Sequence, residues 1–165
     1  MSKPLVILGS ARKESDTGKF VDQIFEGVDY TLVDLLDLEI NRYNYTHHYP
    51  SEDGYNTVVE EMMKHRTIVF ATPVYWYAMS SLMKTVFDRF SDLVTYKKTM
   101  GRQLKGKNGL LIAVGADTIL PDGFEIPFRN TADYLNIQWR GSIYHSTKSA
   151  VPDAEAIRLF RDKLL

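Results

Sequence analysis

The sequence predicts an α/β fold: a three-layer sandwich in which a five-stranded parallel sheet of order 2-1-3-4-5 carries helices on both faces. Three observations lead there. Five short apolar runs alternate with five segments of helical period along 165 residues. Three of those runs are nearly continuously apolar, as in strands covered on both faces of a parallel sheet. Right-handed crossovers then leave few topologies, and five strands in a chain of this length fit a doubly wound sheet.

The first run, PLVILGS at 4–10, reads as a buried strand. Residues 17–27 follow as a helix with Phe20, Val21, Ile24 and Phe25 on one face. YTLVDL at 30–35 is the second strand, and the polar, tyrosine-rich residues 36–53 read as a long loop. GYNTVVEEMMKHR at 54–66 is a helix with Val58, Val59, Met62 and Met63 inward, and TIVFATP at 67–73 is the third strand. Residues 79–94 form a helix whose apolar stripe is Leu82, Met83, Val86, Phe87 and Phe90. GLLIAVG at 109–115 is the fourth strand. Residues 124–135 are a helix if Pro127 sits in its first turn, where a missing N–H is harmless. IQWRGSIYH at 137–145 is the fifth strand, and residues 152–165 close the chain as a helix. Nothing reads as a repeat, linker or low-complexity segment, so one domain spanning 1–165 is expected.

Composition narrows the function. Twenty Lys and Arg against 21 Asp and Glu give a net charge of −1, which disfavours nucleic acid or a membrane surface as partner. The absence of cysteine excludes disulfides, thiolate metal sites, cysteine nucleophiles and iron–sulfur clusters. The N-terminal apolar run is too short for a signal sequence, and no run has membrane-spanning length, so a cytoplasmic location is expected.

Ligands of doubly wound sheets bind outside the carboxyl ends of the strands, at the switch point. Three loops fall there. GSARKESDTGKF at 9–20 brings Ser10, Arg12, Ser15 and Thr17 to the start of a helix. Hydroxyls, free N–H groups and the helix's positive end suit a phosphate, and Arg12 adds charge-assisted hydrogen bonds. The same residues also suit simple capping by Ser15, Asp16 or Thr17. The loop lacks both the Gly-Lys-Ser/Thr ending of a P-loop and the G-x-G-x-x-G fingerprint. TPVYWYAMSS at 72–81 places Pro73, Val74, Tyr75, Trp76 and Tyr77 at a strand-to-helix turn. They suit the edge of a flat ring system, or else the cover of a helix entrance or oligomer interface. GADTILPDGFEIP at 115–127, with Gly115, Asp117, Pro121 and Gly123, is longer than a median connection and suits either a binding loop or a surface excursion. A phosphate cradle beside an aromatic platform points to flavin mononucleotide.

At these residues the chain resembles a known family. GSARKESDTGK is similar to the GSxRxxSxT phosphate loop of the NAD(P)H-dependent FMN reductases, and IVFATPVYWYAMSSLMKTVFDR resembles their Pro-Val-Tyr-Trp block over its whole length. VDLLDLEI at 33–40 looks like their second strand and Asp-Leu segment, and the likeness runs from about residue 4 to 117. The resemblance implies a flavodoxin-like fold, non-covalent FMN, NADPH or NADH as co-substrate, and a small-molecule electron acceptor. It implies that Ser10, Arg12, Ser15 and Thr17 hold the FMN phosphate and that Pro73, Val74, Tyr75, Trp76 and Tyr77 line the isoalloxazine. Gly115, Ala116 and Asp117 would lie near the pyrimidine edge. Lys84, Asp88 and Arg89 match the motif's Lys and Asp-Arg and would brace the helix or a subunit interface. A homodimer or homotetramer is implied, with the tyrosine-rich loop and the 79–94 helix as contact surfaces. Two departures stand out. The region NRYNYTHHYPSEDGY has none of the cysteines of the family's iron–sulfur branch, and Tyr77 replaces the usual small residue after Tyr-Trp, which bears on acceptor size.

Two function classes follow: an FMN-dependent oxidoreductase fed by NAD(P)H, or an FMN-binding electron carrier or regulatory module without turnover. The cofactor carries the hard chemistry, so no protein acid or base is required. Tyr77, Asp117 and His145 are conceivable proton donors and equally structural residues. His47 and His48 with Glu52 and Asp53 sit in a loop that presets no metal geometry, and no metal is expected. The basic run KKTMGRQLKGK at 97–107 suits a pyridine-nucleotide phosphate or, more simply, a solvated helix end. Ser10, Ser80 and Ser81 lack a G-x-S-x-G elbow, which removes the hydrolase reading.

Overall fold

The computed structural model describes residues 3–164. Its elements are β1 (Leu5–Leu8), α1 (Asp16–Ile24), β2 (Thr31–Asp34), a 3₁₀ turn at Leu35–Asp37, α2 (Tyr55–Lys64), β3 (Thr67–Pro73), α3 (Ser81–Val94), α4 (Lys98–Arg102), β4 (Asn108–Gly115), α5 (Ile126–Tyr134), β5 (Gln138–Ser146) and α6 (Ala154–Arg161). All five strands are parallel, in the order β2-β1-β3-β4-β5. The predicted flavodoxin-like sheet is therefore the observed one.

The period of two along each strand sorts the apolar residues into two cores. Leu5 and Ile7, Ile68 and Phe70, and Leu111 and Ala113 face α2, α3 and α5. Val6 and Leu8, Val69 and Ala71, and Leu110, Ile112 and Val114 face α1 and α6. β1, β3 and β4 are buried throughout, which is why they read as unbroken apolar runs, whereas the edge strands β2 and β5 alternate with exposed positions. On β5 the register with β4 shifts between Gly109 and Leu110. Gly141 takes φ +114° there, a conformation open to glycine.

Side chains set the helix starts. Ser15 accepts from the Gly18 N–H at 3.0 Å, Ser80 from that of Met83 at 3.1 Å, and Asp153 from those of Glu155 and Ala156. Pro127 lies in the first turn of α5, as expected. The sequence reading missed α4. This five-residue helix packs against the end of α3 so closely that a Cβ on Gly101 would collide with the Leu93 carbonyl. Among the described residues, no helix is long and apolar enough to cross a membrane.

Candidate functional site

The carboxyl ends of β1, β3, β4 and β5 converge because their loops are stitched together by main chain. Gly9 donates to the Ala71 carbonyl at 2.8 Å, Val74 to Val114 at 2.7 Å and Thr147 to Gly115 at 2.8 Å. Between the loops opens a cavity of about 230 Å³. One wall is Ser10, Arg12, Ser15, Asp16 and Thr17; the other is Pro73, Val74, Tyr75, Val114, Gly115, Ala116 and Thr147. Cavities of about 460 and 490 Å³ lie elsewhere, on the α3–α5 side, without hydroxyls gathered at a helix N-terminus.

The hydroxyl wall divides in two. Ser15 is committed to capping α1, so the simple capping reading holds for that side chain. Ser10 and Thr17 are each only 2% exposed, yet their hydroxyls make no hydrogen bond among the described residues. Neither hydroxyl oxygen is itself sealed off, since the one fully buried side-chain polar atom without a partner among the described residues is the Tyr55 hydroxyl; Ser10 and Thr17 line the cavity. The first N–H groups of α1, at Asp16 and Thr17, have no intrahelical acceptor and carry the positive end of the helix dipole. Arg12 lines the cavity but is largely exposed and pairs with Asp16 at 3.2 Å. Lys13 turns away to Asp34 at 2.8 Å and to Asp37, and those hydrogen bonds raise its pKa.

The aromatic stretch makes a tight hairpin rather than packing the core. Tyr75 and Ala78 exchange both backbone hydrogen bonds, at 2.9 and 3.1 Å. Trp76 and Tyr77 between them have φ of 49° and 64°. Positive φ at both central residues is the signature of a type I′ turn, which Asn and Gly normally fill. Two aromatics there are strained, by about 1–3 kcal/mol each. The tip throws its rings outward. Tyr75 lines the cavity and is half-exposed, while Trp76 is 94% exposed and Tyr77 stands beside it beyond the cavity wall. The hairpin stem is fixed by the Thr72 hydroxyl, which accepts from the Ser80 N–H at 3.1 Å.

Gly115 closes the floor. A Cβ there would lie 2.9 Å from the Tyr144 hydroxyl and 3.0 Å from Val74 Cβ. Tyr144 donates to the Asp117 carbonyl at 2.8 Å, which ties down the start of the third loop; burial is the main cause of its raised pKa. Ala116 and Asp117 are exposed at the rim. His145 stacks on Phe20 at 4.9 Å and does not line the cavity. Sequence reasoning overlooked Tyr144 and Thr147. The signal was available, since the carboxyl end of the fifth strand reaches the same edge as the other three.

The motif's charged residues lie along α3. Lys84 pairs with Asp88 on the exposed face of the helix. Arg89 is 1% exposed and donates to Asp53 at 2.6 Å, to Asp92 at 2.7 Å and to the Asn41 carbonyl at 2.8 Å. Tyr49 and Tyr55 lie against its guanidinium at 3.5 and 4.3 Å. Burial works against the Arg89 charge, but the hydrogen bonds to Asp92 and Asp53 outweigh it and its pKa is raised. His47 completes the cluster through Asp92 at 3.1 Å. The histidine–tyrosine loop is thereby buttoned onto α3, with His47 and Asp53 engaged in that cluster.

The donor set fits FMN. Two hydroxyls and two helical N–H groups without a partner among the described residues belong to one wall of a cavity whose other wall is largely apolar and floored by a glycine. Comparison with known proteins gives the same direction. The family model for NADPH-dependent FMN reductase matches residues 2–149. A curated protein of Bacillus subtilis (strain 168), the putative NAD(P)H-dependent FMN-containing oxidoreductase YwqN, is 25% identical over 150 residues, covering 86% of this chain and 83% of that one. Among solved structures, the Trp repressor binding protein from Bacillus subtilis superposes with a TM-score of 0.75 at 23% identity, over 99% of this chain and 97% of that one. General stress protein 14 from Treponema denticola, solved in complex with FMN, gives 0.63 at 21%, over 98% and 95%. Likeness at those identities speaks for the fold.

Proposed function

The chain belongs to the NADPH-dependent FMN reductase family, and from that premise we propose that its carboxyl-edge cavity holds FMN and serves a flat, small-molecule electron acceptor. Membership makes it an NAD(P)H-dependent FMN oxidoreductase; acceptor, site residues and assembly are the proposal. The observation that carries it is the pair of hydroxyls on Ser10 and Thr17, unbonded among the described residues and belonging to side chains that line the same cavity as Pro73, Val74 and Tyr75.

The chemistry a bound FMN supplies is two-electron transfer, with hydride entering from NAD(P)H and reducing equivalents leaving to a quinone, azo compound, nitro compound or free flavin. The protein's part is binding, orientation and access. Ser10, Thr17 and the α1 N-terminus would hold the phosphate, with Arg12 released from Asp16 to add its charge. Pro73, Val74 and Tyr75 would press the inner edge of the ring system, and the Gly115 floor would let the ring approach the backbone. Ala116 and Asp117 would border the pyrimidine edge. Trp76 and Tyr77 would form an aromatic wall over the acceptor's approach, limiting it to planar molecules. The open rim leaves protons to water, so no side chain is assigned as donor.

A homodimer or homotetramer belongs to the same proposal. The strained tip with its bare tryptophan suits a surface covered by a second copy. An elution volume of a monomer at micromolar concentration would remove this part. A cytoplasmic site of action is proposed with it.

The test is an absorbance spectrum after FMN addition and desalting, followed by anaerobic NADPH and then NADH. Retained yellow colour that bleaches within seconds is expected. Colour that persists with both nucleotides would favour a carrier without turnover. Loss of all flavin on desalting would overturn the site.

A further inference from the structure

We propose a second ligand site, at the opposite edge of the sheet, that takes a nucleoside polyphosphate. It is the cavity of about 490 Å³ where α3 and α5 end and α4 begins. The argument rests on Lys98, Arg102, Lys105, Tyr134 and Asn136, all of which line it.

Charge comes first. Lys98, Arg102 and Lys105 make no salt bridge among the described residues, and no carboxylate lines the cavity. They belong to a run, Lys97 to Lys107, that holds five cations and no acid in a chain of net charge −1. The plain alternative is that they complement the carbonyl ends of α3 and α5. Each such end carries roughly half a negative charge. Two ends amount to about one, so three cations leave a surplus of about two positive charges, which suits a pyrophosphate rather than a helix dipole alone.

The walls add selectivity. Tyr134 is 73% exposed and has no aromatic partner among the described residues. A free ring face beside a cationic cluster suits a stacked base. Asn136, held at φ 57°, has a side-chain amide with no partner among the described residues. It can donate to and accept from a base edge.

Position separates this site from the flavin cavity. α4 leads into Asn108 at the amino end of β4, and the flavin cavity lies at Gly115, the other end. Eight strand residues span on the order of 23 Å. The basic run is therefore misplaced for the phosphate of a nicotinamide reacting at the FMN ring, contrary to one of the two readings that the sequence allowed.

The test is calorimetric titration of the FMN-loaded protein with ADP, inorganic pyrophosphate and adenosine. ADP is expected to bind saturably, more weakly as salt rises, with pyrophosphate weaker and adenosine weaker still. The triple substitution Lys98→Gln, Arg102→Gln, Lys105→Gln should weaken ADP at least tenfold and leave the KM for NADPH unchanged. Tyr134→Ala should weaken ADP several-fold and pyrophosphate hardly at all, and it provides a second route if the triple variant folds poorly. Three results would each overturn the proposal: no saturable ADP binding, ADP binding that survives the triple substitution and is displaced by NADPH, or tighter binding of a single-stranded oligonucleotide than of ADP.

Discussion

Around Arg89 nearly every buried polar atom has a partner, whereas Ser10 and Thr17 at the carboxyl edge line a cavity with hydroxyls that bond to nothing among the described residues. The first cluster is closed. Two carboxylates, a guanidinium, a carbonyl and an imidazole satisfy one another, and the one orphan is the Tyr55 hydroxyl, whose pKa burial pushes well up. The second cluster is open, its capacity pointed into a cavity. The contrast separates two uses of buried polarity. A completed network fixes one arrangement of chain; an incomplete one reserves its bonds for something else.

The strongest challenge to this contrast is Arg89→Met. It strands Asp53 and Asp92 without their cation, and removing one partner of a buried ion pair costs about 3–5 kcal/mol. Urea denaturation should register that loss, while FMN should still bind whatever fraction folds. A loss under about 1 kcal/mol would mean that the network is not closed.

The open cluster should respond in the opposite way. Ser10→Ala with Thr17→Val is expected to leave the FMN-free protein within about 0.5 kcal/mol of the parent, since those hydroxyls bond nothing there. It should weaken FMN by at least about a hundredfold, because hydrogen bonds to a charged group contribute about 1.5–3 kcal/mol each. Fluorescence titration of FMN beside thermal melts of both forms reads the two effects separately.

Gly115→Ala tests the floor between the loops. The new methyl must displace Val74 or Tyr144, an overpacking cost of about 1–3 kcal/mol. FMN affinity should fall about tenfold and the Tyr144–Asp117 tie should loosen, which hydrogen exchange at residues 115–118 can detect.

The smallest effect belongs to a surface pair outside both clusters. The hydrogen bond from Lys64 holds the Glu61 carboxyl below its ordinary value of 4.5, helped by the charges of Lys64 and His65. A depressed acid stabilises the fold fully above pH 4.5 and loses that contribution as pH falls through its folded value. Glu61→Gln should therefore flatten the acid limb of the stability curve, by less than about 1 kcal/mol given its solvent exposure.

Much of this was legible in the residues. Period and run length placed all five strands, and Pro127 fell where a helix tolerates it. The three loops could be grouped because the strands of a doubly wound sheet share one carboxyl edge, and residues of all three line one cavity there. Other features were hidden for physical reasons. Arg89 reads as a brace of its helix or of a subunit interface through the family motif alone, and only tertiary contact brings Asp53, 36 residues earlier, to its guanidinium. The tyrosines of 41–55 read as loop packing or a contact surface for a second subunit, and only the fold places Tyr49 and Tyr55 against that cation. α4 is too short for a helical period to emerge. The hairpin at Trp76 was invisible because its sequence has neither Asn nor Gly, the residues by which such turns are recognised.

That hairpin has a spectroscopic consequence. The chain has two tryptophans. Trp139 is half-buried, its indole N–H held by Glu125 at 2.6 Å, while Trp76 is exposed on the single chain beside the proposed flavin cavity. In a protomer whose hairpin no second copy covers, their emission should therefore separate, with a blue component from Trp139 and a red one from Trp76. A flavin settling beside the hairpin would quench the red component first, so the protein carries its own optical gauge of cofactor occupancy, with Trp139 as the internal reference.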